Sequence, residues 1–204
     1  ATSLLSFLLV GFHNNKERSR QNASQALLIT MTGGAALLAG FVVLHHSAGT
    51  SSISQLLNSP PASLPTAAVV LIAIGAMTKS AQWPFHFWLP NAMVGPTPVS
   101  AYLHSATMVK AGVFLMGTLA PVLSQHPFWT PALTIAGTLT VGSSLVRGLK
   151  ADDLKTLLAC TTLAALGFLT ILAGIATPAA LLAFVIFLTA HALYKAPLFL
   201  AAGN

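Results

Sequence analysis

Stretches of about 20 consecutive apolar residues recur along these 204 residues, and this leaves a chain few ways to fold. Water offers such stretches no cover, whereas a bilayer core of about 30 Å accepts each as one crossing helix. Six full stretches read as spans, at 25–44, 66–89, 98–123, 131–147, 154–176 and 179–203, with a cut one over 1–12. Composition agrees: 55% of residues are hydrophobic and 6% charged, where a soluble domain carries about 25% charged, and the mean hydropathy is +0.80. The expected fold class is all-α integral membrane. The whole of 1–204 is read as one transmembrane region, a polytopic helix bundle with no soluble domain. It opens within an apolar run and without Met, so it is expected to be a fragment of a larger subunit.

The formal net charge of +6 invites a nucleic-acid reading, but the cations form no basic face interleaved with aromatics, so nucleic acid is not an expected partner. Cys160 is the single cysteine, which excludes a disulfide framework or a cysteine-based metal site within the chain. With no dinucleotide-binding glycine fingerprint and no iron–sulfur spacing, no cofactor or metal is expected. Lys and Arg in short loops mark the cytoplasmic side. Five of the nine fall in two connectors: Lys16, Arg18 and Arg20 in 13–22, and Arg147 with Lys150 around 148–153. Four predicted spans lie between them, and an even number returns the chain to the same face. Connectors 45–65 and 124–130 carry neither Lys nor Arg, as outside loops should.

Lys79, Lys110 and Lys195 fall inside predicted spans and Lys155 just inside the start of one. A lysine at a span centre costs about 2.5–3.5 kcal/mol, and three cost on the order of 10 kcal/mol before partners are found. No span holds a carboxylate, because Glu17, Asp152 and Asp153 all lie in connectors. A desolvated ammonium can gain or lose its proton in response to a nearby charge, which suits it to a proton relay. Snorkelling to the interface is the competing account, strongest for Lys155 and weakest for Lys110. Lys79 stands five residues before Pro84, which removes a backbone donor and clashes with the carbonyl of Ser80, so a broken helix is expected there. His104 precedes Lys110 by six residues, about 9 Å along a helix. His191 and Lys195, four apart, share a face. His13, His45, His46 and His126 sit in connectors and read as solvated.

The run from Lys79 through Ser80-Ala81-Gln82-Trp83-Pro84-Phe85-His86-Phe87-Trp88-Leu89-Pro90-Asn91, followed by Pro96 to Gly112 with Tyr102-Leu103-His104 and Met108-Val109-Lys110, strongly resembles the antiporter-like membrane subunits. These are shared by respiratory NADH:quinone oxidoreductase and multisubunit Na+/H+ (Mrp-type) antiporters. Thr2 to Phe12, Asp153-Leu154-Lys155 and His191 to Ala196 fit the same family, so the resemblance covers essentially the whole chain. It is closest to the large A subunit of the Mrp type, although Gly95 is more like the respiratory version. The resemblance implies a proton-translocating subunit with no catalytic site. Proton-translocation residues would be Lys79, His104, Lys110, Lys155, His191 and Lys195. Its implied setting is the bacterial inner membrane, with other membrane subunits and lipid as partners and protons, with Na+ in the antiporter branch, as the ions. Lys79 would pair with a family glutamate that falls immediately before Ala1, and Phe187 departs from a histidine that many respiratory relatives carry. The alternatives are a proton pump of a respiratory complex and a structural scaffold subunit. Less is in favour of a haem protein using His86, His104 or His191, or of an intramembrane hydrolase, for want of a stacked histidine pair and of a nucleophile arrangement.

Overall fold

The computed structural model describes residues 2–61, 63–105 and 108–203, and among them every regular element is helical. In chain order they are α1 (Thr2–Val10), α2 (Glu17–Ala48), α3 (Ile53–Asn58), α4 (Thr66–Lys79), α5 (Trp88–Asn91), α6 (Thr97–Ser105), α7 (Met108–Leu123), α8 (Trp129–Gly148), α9 (Leu154–Ile175) and α10 (Pro178–Ala201). Single 3-10 turns at Phe85–Phe87 and Ala92–Val94 flank α5. Local chemistry sets the boundaries. Asp153 caps α9 by accepting from the Thr156 N–H at 2.8 Å, and Thr177 caps α10 by accepting from the Ala180 N–H at 3.3 Å, with Pro178 opening that helix. Gly49 ends α2 in the left-handed conformation at φ 68°.

Among the described residues, four stretches are long and apolar enough to cross a membrane: α2, Thr97–Leu123, α9 and α10. Helix α8 has 20 residues but carries Thr and Ser along its length. Its hydroxyls bond to carbonyls one turn back, as Thr138 does to Thr134 and Thr140 to Ala136, which hides their polarity from an apolar setting. Helix α4 has 14 residues, about 21 Å at 1.5 Å each, and the rest of the predicted 66–89 span is made by the break, the 3-10 turn and α5. Residues read as connector are partly helical: α2 begins at Glu17 and runs to Ala48, so His45 and His46 occupy its last turn, and α3 lies within 45–65. Polar residues form the first turns of α2 with local support, Gln21 Nε2 donating to Glu17 Oε1 at 3.0 Å, a pairing that hydropathy alone does not register.

Hydrogen bonds between distant segments tie the ends of the bundle together. At one end Asn22 donates to the Asn91 carbonyl at 2.9 Å and Lys155 to the Gly95 carbonyl at 3.3 Å, so the starts of α2 and α9 meet the same short segment. At the other, Thr66 pairs with His126 at 3.1 Å, and Trp129 and Thr130 donate to the Ala173 and Gly174 carbonyls at 3.1 and 2.8 Å. The basic connectors 13–22 and 148–153 therefore share one end, and the chain makes four passes between them: α2, α4 with its continuation to Gly95, α6 with α7, and α8.

Packing is close along α8 and α9, where a Cβ on Gly137 would lie 2.6 Å from the Gly167 carbonyl oxygen. Helices α7 and α9 supply a large share of the buried interior, including Val113, Met116, Leu163, Leu166 and Leu169. The outer helices α2 and α10 leave Leu28, Leu38, Leu182, Ile186 and Leu193 exposed, a surface suited to lipid rather than water.

Candidate functional site

Helix α10 is built inside out. Its buried positions are Ala180, Phe184, His191, Lys195 and Phe199, one stripe at helical spacing. Leu182, Val185, Ile186, Leu193, Leu198 and Leu200 face outward. The two ionisable side chains thus turn toward the protein, where α6 and α9 lie, and the leucines turn away. That is the arrangement a bilayer demands and water forbids.

On this stripe His191 and Lys195 are 0% and 1% exposed. The Lys195 ammonium donates to Thr161 Oγ1 of α9 at 2.5 Å and stands 5.9 Å from the centroid of the Phe199 ring, within cation–π range. The same ring packs against His104 of α6, centroid to centroid at 4.8 Å, so one phenyl group lies between the lysine of one helix and the histidine of another. Lys110 enters from α7, buried, with its ammonium donating to the Ser105 carbonyl at the end of α6. The charges of Lys195, His191 and Lys110 all reach His104, and those of Lys110 and Lys195 reach His191. Both ring nitrogens of His104 and of His191 are buried without a hydrogen-bond partner among the described residues. The cluster holds no carboxylate, since Glu17, Asp152 and Asp153 lie at the basic end. It is a buried set of four titratable groups on three helices, in which the two lysines are held by a hydroxyl, a carbonyl and an aromatic face and the two imidazoles have no hydrogen-bond partner among the described residues.

The other two predicted residues stand apart. Lys79 is the last residue of α4, half-buried, and its ammonium donates to Ser3 Oγ of α1. The break beside it has a different cause from the one expected. The Gln82 N–H bonds the Met77 carbonyl at 2.9 Å and the Ala81 N–H the Thr78 carbonyl at 3.4 Å, with Ala81 at φ 49°. This is a Schellman stop with alanine where glycine is usual. Pro84 follows the stop and does not create it. The Trp88 indole then donates back to the Thr78 carbonyl at 3.2 Å, and Thr140 of α8 accepts from the Trp83 N–H at 2.8 Å, holding the irregular segment against both helices. Gly112 lets α7 approach this break: a Cβ there would meet the Ala76 carbonyl and Ser80 Oγ and lie 3.1 Å from Lys79 Cβ. Gly112 and Lys110 are two positions apart, about 200° around a helix, so α7 turns Gly112 to Lys79 and Lys110 to the cluster. Lys155, half-buried in the first turn of α9, holds the Gly95 carbonyl at the basic end. Below it the Asp153 carboxylate is kept below its ordinary range chiefly by the Thr156 N–H it accepts.

The proposed helical path from His104 to Lys110 passes through residues 106 and 107, which lie outside the described residues, as does Ala1. Phe187 packs edge-on against Phe168 at 5.4 Å and 6.3 Å from the His191 ring, filling an apolar place where a histidine would extend the polar cluster. Sequence reading missed Thr161, Phe199, Ser3, Ala81 and Gly112. Phe199 lies four residues after Lys195 and was visible as an i, i+4 neighbour; the others depend on which helices meet.

A family profile described as NADH:quinone oxidoreductase/Mrp antiporter, TM, matches residues 1–204. Over 206 residues the chain is 44% identical to the A/B subunit of a probable K(+)/H(+) antiporter of Rhizobium meliloti (strain 1021), covering 99% of this chain and 21% of that protein. It is 39% identical over 217 residues to the A subunit of the Na(+)/H(+) antiporter of Bacillus subtilis (strain 168), covering 99% and 27%. A chain in the structure of the Mrp complex from Dietzia sp. DQ12-45-1b superposes with a TM-score of 0.90 at 42% identity, covering 99% of this chain and 23% of that one. The chain thus spans about a quarter of the length of these relatives.

Proposed function

Since this chain belongs to the NADH:quinone oxidoreductase/Mrp antiporter transmembrane family, we propose that it forms the central part of one subunit in a cation/proton antiporter, where it moves protons through its buried lysines and histidines. The observation that carries this reading is the gathering of His104, Lys110, His191 and Lys195 from α6, α7 and α10 into one buried cluster. In a low dielectric, two ammonium groups within reach of the same imidazoles repel strongly, so a proton arriving on one member drives off the proton held by the next. The unpartnered ring nitrogens of His104 and His191 accept and donate in turn, with water threading the cluster to satisfy them.

Lys79 is the switch beside this cluster. Its ammonium meets α1 at Ser3, and the family glutamate that the resemblance puts before Ala1 falls three positions earlier, on the same helical face. Making and breaking that pair changes the local field by several kcal/mol in low dielectric, and α7 carries the change from Lys79 on one face to Lys110 on the other. Lys155 connects the cluster end of α9 to the basic end. The basic connectors face the cytoplasm of a bacterial plasma membrane, and the rest of the longer polypeptide assembles with partner membrane subunits around this bundle. The names of these relatives support the antiporter over the respiratory pump.

The test is collapse of a proton gradient on adding sodium or potassium to inverted vesicles that carry the full-length subunit with its partners. The Lys79→Ala variant is expected to assemble and to abolish the response. Wild-type flux in an assembled Lys79→Ala complex would overturn the mechanism.

A further inference from the structure

At the basic end, two grooves flank the start of α2 and share Arg20 and Ser24. One, of about 600 Å³, runs past Gln21 to Leu28, Ile29 and Phe87 of the 3-10 turn beyond the break. The other, of about 330 Å³, runs from Asn14 past Gly11 to Phe7 and Leu8 of α1. Arg20 and Ser24, four apart, form the ridge between the grooves, and each groove turns from polar at Arg20 to apolar farther into the bundle. Arg20 to Leu28 is eight residues, about 12 Å of helix, the direction in which a chain anchored at the surface would enter the membrane.

The charges match one kind of occupant. Arg20 is exposed, and among the described residues only its Nη1 is engaged, donating to the Asn14 carbonyl at 2.7 Å. A guanidinium has five N–H donors in a planar fork that suits a phosphate. Lys16 caps α2 and Arg18 stands in its first turn, and the neighbouring acid, Glu17, already accepts from Gln21. A soluble anion would use the arginine and leave Leu28, Ile29, Phe87, Phe7 and Leu8 idle. A protein helix would fill the grooves but has no need of a guanidinium on the ridge between them. An anionic diacyl lipid uses every part.

We propose that this face binds one anionic phospholipid, its phosphate on Arg20 and one acyl chain in each groove on either side of α2. Because Phe87 belongs to the segment that continues the broken helix and α1 carries Ser3, the lipid touches both elements that hold Lys79.

The experiment uses the full-length subunit purified with the proteins it assembles with, reconstituted in nanodiscs of phosphatidylcholine and phosphatidylglycerol. Phosphatidylglycerol retained after transfer to mild detergent is counted by native mass spectrometry. Wild type and Arg18→Gln are expected to retain one molecule at this site, and Arg20→Gln roughly fivefold less. Ser24→Trp keeps the charge and fills the mouth of both grooves, and it is expected to lose the lipid too, which separates occupancy from any effect of Arg20 on its own loop. Equal retention in wild type, Arg20→Gln and Ser24→Trp overturns the proposal. So does a photo-crosslinker at Leu28 that captures a protein segment instead of lipid.

Discussion

Replacing Lys195 by methionine separates a working charge from a structural one. The side chain is 1% exposed, so its ammonium is held by the protein alone. Removing a lysine from a span centre relieves about 2.5–3.5 kcal/mol. Against that stand the charged hydrogen bond to Thr161, worth about 1.5–3 kcal/mol, and the desolvated cation–π contact with Phe199, worth about 2 kcal/mol. Methionine has nearly the same length and fills the same space, so no cavity opens. The balance runs from about zero to about 2.5 kcal/mol of destabilisation, and Lys195→Met is expected to leave assembly intact and lower the unfolding midpoint only modestly while cation-driven proton flux in inverted vesicles disappears. Midpoint and flux are measured on the same preparation. A large fall in the midpoint, with flux tracking the amount of folded complex, would refute the reasoning and make the lysine a structural tie between α9 and α10.

Four further outcomes follow from the geometry. Gly112→Ala drives a methyl group into the Ala76 carbonyl and the Ser80 hydroxyl, and thermal melts should show about 1–3 kcal/mol of overpacking cost, with flux lowered because the end of α4 is displaced. Gly34 has nothing within 4 Å of its Cβ position, so Gly34→Ala should be neutral or stabilise by up to about 1 kcal/mol, a control that distinguishes packing from helix propensity. Ala81→Gly relieves a left-handed alanine at φ 49° and should raise stability by about 1 kcal/mol in the same melts, while leaving the break in place. Asp153 has a folded carboxyl pKa below its unfolded value because it accepts the Thr156 N–H. Its contribution is therefore fully present above the unfolded pKa and is lost as pH falls through the folded value. Asp153→Asn should flatten that acid dependence of the melting profile, and an unchanged acid limb would reject the cap.

The helical class, the membrane setting and the titratable residues buried within the apolar helices were all legible in the one-dimensional pattern. Apolar runs of bilayer length and lysines within them are statements about solvent, and solvent preference is a property of each residue wherever the chain goes. The pairing of His191 with Lys195 was legible for the same kind of reason, since a spacing of four fixes a shared face on any helix. Contact between elements was not. Nothing in the linear order of Lys110, Thr161, Lys195 and Phe199 says that α7, α9 and α10 meet, whereas Lys155, at the start of its span, was the lysine most open to an interfacial reading and ends at the basic edge holding a loop carbonyl. Sequence alone also assigned the break at Lys79 to Pro84, because a proline's steric effect can be read from its neighbours. The Schellman stop at Ala81 depends on a backbone angle that alanine rarely adopts, and only the packing of Trp83, Trp88 and α7 around that turn holds it there. What composition and spacing determined was which residues must avoid lipid. Tertiary packing decided which of them avoid it together, because a buried ammonium takes whatever oxygen or ring a neighbouring helix presents.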